Sequence, residues 1–324
     1  MHTCEPPFAT MEAWLKSYPS VEGNYGHLLL EQKIALSPEL VEGLRPYFES
    51  AHLDAREHFH AQIAIDLHPD AGAPGAHSCY PNCLPPAARH GLFGEVMAGL
   101  MTEVYQEDFV GGHIWTVPIF LFRFHADVES YLWTLARDAD RERQIFGRFG
   151  SDFIGLSLDD DGKVVRLIAG EAKWRNRLTQ SSVDTLMLGD YEEDEDDEDG
   201  ERVRNGRGVW FEINRDTPVP HGLRQLQRLL ELRAPDDYAA AILSIDRAIA
   251  LNGPPLPRTN LILISGNGGR RREKGDYLIP WEKCPEEYTA PHDLQVIELV
   301  LEEGADLIEQ IYSSLWQARV DARI

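Results

Sequence analysis

The sequence predicts an α/β chain with a mixed central sheet flanked by helices. Three observations carry that expectation. Stretches with a helical apolar period are interleaved with short apolar runs of strand length. Residues 150–174, GSDFIGLSLDDDGKVVRLIAGEAKW, read as two strands joined by a tight DDDG turn. The order helix, strand, helix, hairpin, helices, strand, helix is that of a sheet layered between helices.

The elements follow in chain order. Residues 1–86 form an N-terminal region that mixes short apolar segments such as HAQIAIDLHP with helical patches such as SPELVEGLRPYFESA. Ser37 suits an N-cap there, with Pro38 at the first helical position and Glu39 in the first turn. PDAGAPGAHSCYPNCLPP, residues 69–86, reads as a loop or boundary before an α/β domain over 87–324. ARHGLFGEVMAGLMTEVYQE at 88–107 is apolar at 92, 93, 96, 97, 100, 101, 104 and 105, a helical period. HIWTVPIFLFRFH predicts a buried strand and DVESYLWTLARDADRERQIF a helix, and the 150–174 strand pair follows. A further helix starts near Leu178. An acidic insertion near 190–208 reads as a solvated or mobile loop, with YEEDEDDEDGE followed by RVRNGRG. HGLRQLQRLLELR and DDYAAAILSIDRAIALN predict two helices, RTNLILISG a buried strand, LQVIELVLEE a last strand and GADLIEQIYSSLWQAR the closing helix. Trp115, Trp133, Trp174 and Trp210 read as core or rim aromatics.

Charge narrows the function classes. The net charge is −23, and without the nine acidic residues of 191–201 it is still −14. Broad electrostatic attraction to nucleic acid is therefore excluded, and any such role needs a local basic surface, a metal ion or a partner protein. No apolar run reaches the roughly 18 residues a membrane helix needs, and no secretory leader is apparent, so the cytoplasm is expected. Four cysteines in 324 residues make no disulfide framework. A serine-hydrolase G-x-S-x-G element and a phosphate loop are both missing from the sequence.

The 150–174 segment carries the chemistry. Side chains alternate along a strand, so Glu171 and Lys173 share a face with Ala172 between them. Folding the strands about the DDDG turn brings Asp152 toward Glu171. Two carboxylates facing one space repel unless a cation lies between them or one is protonated. Oxygen ligands of this kind favour Mg²⁺ or Mn²⁺, and a lysine beside them can hold a water or steady phosphate charge. The plainer alternative is that Glu171 and Lys173 form a solvent-facing pair on an edge strand while Asp152 caps a turn.

The set resembles the PD-(D/E)XK nuclease superfamily, in which an aspartate precedes an E-x-K on the adjoining strand and an acid often comes from a preceding helix. Asp152, Glu171 and Lys173 match the aspartate and the E-x-K, and Glu95 in FGEVMAGLM matches the helical acid. Ser151 stands where the family usually has proline. The order G-E on a helix, an apolar VPIFLFR strand, G-S-D and G-E-A-K is similar, within that superfamily, to the HamA-type nuclease subunit of Hachiman anti-phage systems. The resemblance covers residues 88–190. It implies a restriction-endonuclease-like core, a Mg²⁺- or Mn²⁺-dependent nuclease acting on DNA, and a helicase-like partner. Asp152, Glu171 and Glu95 would be metal ligands with the Ala172 carbonyl beside them, Lys173 would hold the attacking water, and Gln180 would support the site. A non-catalytic acidic interaction protein and an inactive nuclease-fold sensor of DNA are the rival readings.

Two further clusters stand out. His77, Cys79 and Cys83 with His90 are zinc-type ligands, but their spacing matches no zinc signature, and reduced cysteines beside a proline loop are the expectation. GNGGRRREKGD concentrates Arg270, Arg271, Arg272 and Lys274, which suits contact with phosphates or docking against the chain's own acidic run.

Overall fold

The computed structural model describes residues 1–66, 80–137, 151–193, 202–215, 217, 219–250, 254–268 and 277–317. Among the described residues, six strands form one mixed sheet in the order β1-β2-β8-β7-β4-β3. These are β1 (Leu15–Glu22), β2 (Tyr25–Gln32), β3 (Phe153–Leu158), β4 (Val164–Arg175), β7 (Arg258–Asn267) and β8 (Asp293–Leu301). The inner strands β2, β8, β7 and β4 run parallel, while β1 and β3 are antiparallel at the two edges. A second pair, β5 (Tyr191–Glu193) and β6 (Arg202–Arg204), stands apart.

Helices cover both faces, and the strand alternation shows how. Leu261, Leu263, Ile297 and Leu299 join the core beneath α2 (Pro38–Asp66), α3 (Pro86–Val104) and α9 (Gly304–Ser314). Their neighbours Ile262, Ile264, Leu294 and Val296 pack with α5 (Gln180–Leu188) and α6 (Val209–Ile213). Near the β3 edge, Leu156, Leu167 and Ala169 pack with α7 (Leu223–Arg233) and α8 (Ala239–Ile249). A parallel centre buried on both sides is why β7 is buried along nearly its whole length and is apolar on both faces over Leu261–Ile264. Among the described residues no helix is long and apolar enough to cross a membrane.

The helix starts behave as their sequences require. Ser37 accepts from the Leu40 amide at 3.3 Å. Thr179 caps α5 with a reciprocal Ser182 capping box, two residues past the expected start at Leu178. α4 (Ala126–Arg137) matches the expected helix as far as it is described. In the β3–β4 turn Asp159 accepts from the Asp161 and Lys163 amides at 3.0 and 2.8 Å, and Gly162 supplies the left-handed residue at φ +75°.

Four expectations change. HAQIAIDLHP is no separate apolar segment, because α2 continues through it to Asp66. HIWTVPIFLFRFH forms no strand: Thr116 makes one isolated bridge to Leu156, and Phe122–Phe124 is a short 3-10 turn. Pro118 has no amide to donate to a ladder, and the neighbouring donors go elsewhere. Val117 N donates to Glu103 Oε1 at 2.8 Å and Trp115 N to Gln106 Oε1 at 2.9 Å. The acidic insertion is not wholly irregular. Glu193 faces Arg202, and the Arg204 guanidinium lies 4.1 Å over the Tyr191 ring, while residues 194–201 lie outside the described residues. The N-terminal region has strands of its own, and residue 86 marks no break in the sheet, since β2 pairs directly with β8.

Candidate active site

The site begins where β3 ends. β3 pairs with β4 only as far as Phe153 opposite Gly170, and the Asp152 amide closes the ladder on the Gly170 carbonyl at 2.8 Å. β4 runs on from Glu171 to Arg175, paired there with β7 alone. Gly170 is needed at the junction, because a Cβ there would stand 2.0 Å from the Leu261 carbonyl oxygen. The overhanging strand is thus anchored in the sheet on one side and open on the other.

Asp152, Glu171 and Lys173 meet at this open edge. Lys173 Nζ donates to Glu171 Oε2 at 2.6 Å and to Asp152 Oδ2 at 3.3 Å. The same Asp152 oxygen accepts from the Ala172 amide at 2.9 Å. In a strand the amide and carbonyl of one residue point the same way, so the Ala172 carbonyl also faces the open edge. Burial pushes the Glu171 carboxyl up to about 8, with the Asp152 charge adding to it and Lys173 opposing. Burial alone would lower the Lys173 ammonium, but Asp152 and Glu171 outweigh it and raise it.

Glu95 enters from α3, which packs closely on this strand: a Cβ at Gly94 would lie 3.4 Å from that of Ala172. Although acidic, Glu95 is buried, and its Oε1 lies 3.3 Å from His125 Nε2. Both line a cavity of about 530 Å³ together with Asp152, Lys173, Trp174 and His90. Glu171 lies on the other side of the edge, in a cavity of about 200 Å³ with Arg215, His221, Arg258 and Asn260. Two cavities therefore flank one strand edge, and Asp152, Lys173 and Glu171 connect them.

The remaining expected residues fall elsewhere. Gln180 donates to Asp184 Oδ1 at 2.7 Å and to the Leu278 carbonyl at 3.1 Å, which ties α5 to the segment before β8. Arg270, Arg271, Arg272 and Lys274 lie outside the described residues, as do His77 and Cys79. Cys4, Cys83 and Cys284 are thiols, and the Cys83 carbonyl accepts from Tyr131. Sequence reasoning missed His125 and read Trp174 as a core or rim aromatic with no place at the site. A histidine after an apolar run has no motif spacing to announce it. Trp174 does pack against Phe93, yet it also borders the larger cavity.

Two carboxylates and a carbonyl at one strand edge are hard oxygen donors, and one ammonium serves both carboxylates, so the residues fit Mg²⁺ or Mn²⁺. Among the described residues no group of three or more His, Cys, Asp or Glu side chains is gathered for a metal. Comparison with protein-family models and with curated proteins finds no match.

Proposed function

We propose that the protein is a metal-dependent nuclease that hydrolyses DNA phosphodiester bonds. The observation that supports this most is the contact of Asp152, Glu171 and Lys173 at an open strand edge between two cavities. Asp152 and Glu171 would hold Mg²⁺ or Mn²⁺, with the Ala172 carbonyl on the same edge and Glu95 opposite, across the larger cavity. When bound, the ion supplies Lewis acidity and a more acidic water. Lys173 Nζ then turns from the carboxylates to hold the attacking water and to offset charge on the phosphoryl oxygens. Anti-phage defence in the cytoplasm, with a helicase-like partner, is the setting the resemblance supplies, and a partner that carries the DNA answers the adverse charge of −23.

A second reading has its own observation. Lys173 Nζ already engages both carboxylates, which is how a closed salt-bridge cluster in an inactive nuclease-fold sensor or an acidic interaction protein would look. Cleavage of plasmid and linear DNA with Mg²⁺ or Mn²⁺ decides between them. The nuclease cuts, chelator stops it, and Lys173→Ala lowers the rate about 10²–10³-fold, as loss of one charge-stabilising group does. Equal cutting by wild type and Lys173→Ala would move the chemistry away from this strand. No cutting, with no binding of either metal, would favour the second reading.

A further inference from the structure

The larger cavity holds more space than one phosphodiester requires, and its α3 wall has one position without a side chain. Gly91 on α3 is exposed, lines this cavity, and a Cβ there would meet nothing within 4 Å. A glycine within a helix costs about 0.5–1 kcal/mol relative to alanine. Other glycines of α3 face packed neighbours: a Cβ at Gly99 would stand 2.6 Å from Phe120, and one at Gly94 would lie in contact with Ala172. Gly91 has no such neighbour. Its bare backbone leaves room for a flat group to lie close against the helix.

The other walls suit such a group. The His90 and Trp174 rings lie 5.5 Å apart and are tilted by 43°. The Trp174 indole donates to Asn176 Oδ1 at 3.0 Å, which fixes that amide and leaves its N–H groups to donate outward. Leu92 and Val128 make an apolar floor, and Lys173 and Arg175 bring positive charge beside the Asp152 edge. The volume of about 530 Å³ falls in the roughly 300–1,000 Å³ range of sites that enclose one small ligand. A base held in its duplex cannot enter a space of that kind, whereas an unpaired one can.

On the nuclease reading above, we infer that this cavity receives an unpaired nucleotide of the substrate strand. Its base lies along Gly91 against the outer edge of the His90–Trp174 pair, and its phosphate points to Lys173. Single strands, flaps and frayed ends are then the preferred substrates, because a paired base must first be unstacked at a cost of about a few kcal/mol.

The test separates binding from cutting. Fluorescein-labelled oligothymidine is titrated into the full chain in chelator, and cleavage of single-stranded and blunt duplex DNA is followed with Mg²⁺. Gly91→Phe puts a ring into the space that the glycine leaves open, and Gly91→Ala adds only the first carbon of it. Base stacking is worth about 1–3 kcal/mol. Gly91→Phe should therefore weaken oligothymidine binding about tenfold or more and Gly91→Ala by less, about two- to fivefold, with neither melting below wild type. Asn176→Asp, an exposed change, gives a second measure and should weaken binding several-fold. Unchanged binding in Gly91→Phe and Asn176→Asp, or blunt duplex bound as tightly as oligothymidine, overturns the inference. Duplex cutting that survives Gly91→Phe with equal oligothymidine binding would leave the nuclease standing without this pocket. Oligothymidine binding lost in Gly91→Phe, with no cutting by wild type under any metal, would keep the pocket and remove the hydrolase.

Discussion

Two carboxylate clusters in this molecule use similar groups to different ends. Asp54 on α2 is buried, takes Arg123 from the Phe122–Phe124 turn through Nε at 2.6 Å and also through Nη2, and takes Arg233 from α7 at 2.8 Å. Arg233 also reaches Glu57 at 2.9 Å, so two guanidiniums meet two carboxylates. At the β4 edge, Asp152 and Glu171 instead share the Lys173 ammonium, beside cavities, and Glu171 is held up to about 8. The first cluster ties three elements together with charges matched. The second leaves two largely buried carboxylates sharing one ammonium beside two cavities. Balanced charge in a packed setting marks architecture, and unbalanced charge at an opening marks a place for chemistry.

The contrast breaks most readily at Asp54. Asp54→Ala should cost about 3 kcal/mol in denaturant unfolding, because it leaves the largely buried Arg123 guanidinium without its carboxylate, while Arg233 keeps Glu57. Lys173→Ala should cost less in the same assay, because the raised Glu171 carboxyl it leaves can take up a proton, while it lowers cleavage about 10²–10³-fold. Comparable losses from the two would erase the distinction drawn here.

The next effect is one of pH and metal. A carboxyl raised from 4.5 to about 8 in the folded state contributes stability that is complete below pH 4.5 and lost as pH rises toward 8. Thermal melting of the metal-free protein should therefore fall across that window, and Glu171→Gln should flatten the fall. Mg²⁺ or Mn²⁺ at a hundred times its Kd should restore about 2.7 kcal/mol at pH 8 in wild type and little in Glu171→Gln. A metal-free profile that rises with pH through Glu171 would contradict the assignment. Smallest is the cap on the helix that carries Asp54: Ser37→Ala should cost about 1 kcal/mol by denaturant unfolding, with cleavage unchanged.

The sequence disclosed what local pattern controls. Strand alternation and the DDDG turn placed Asp152, Glu171 and Lys173 together before any coordinates, and the 3.6-residue period located α3. Non-local facts were hidden. VPIFLF has the composition of a strand, but Pro118 and the side chains of Glu103 and Gln106 divert its backbone. β1 and β2 were missed because β1 is largely polar and carries Pro19, and only pairing with β8 makes the hairpin part of the sheet. Strand parity put Glu171 and Lys173 on one face correctly. It could not say that a long lysine would bridge the edge to a second cavity, nor that His125 would meet Glu95 from a separate segment.

The Asp152 oxygen that accepts from the Ala172 amide is the one that Lys173 also reaches. On the overhang, alternate amides are locked into β7, whereas the Ala172 proton is protected from solvent by one side chain. Its hydrogen–deuterium exchange thus reports on a single carboxylate. Whenever Asp152 turns toward another ligand, this proton is released to water while those beside it stay slow. The strand that carries the proposed chemistry also carries a one-atom gauge of its occupancy, readable without substrate turnover.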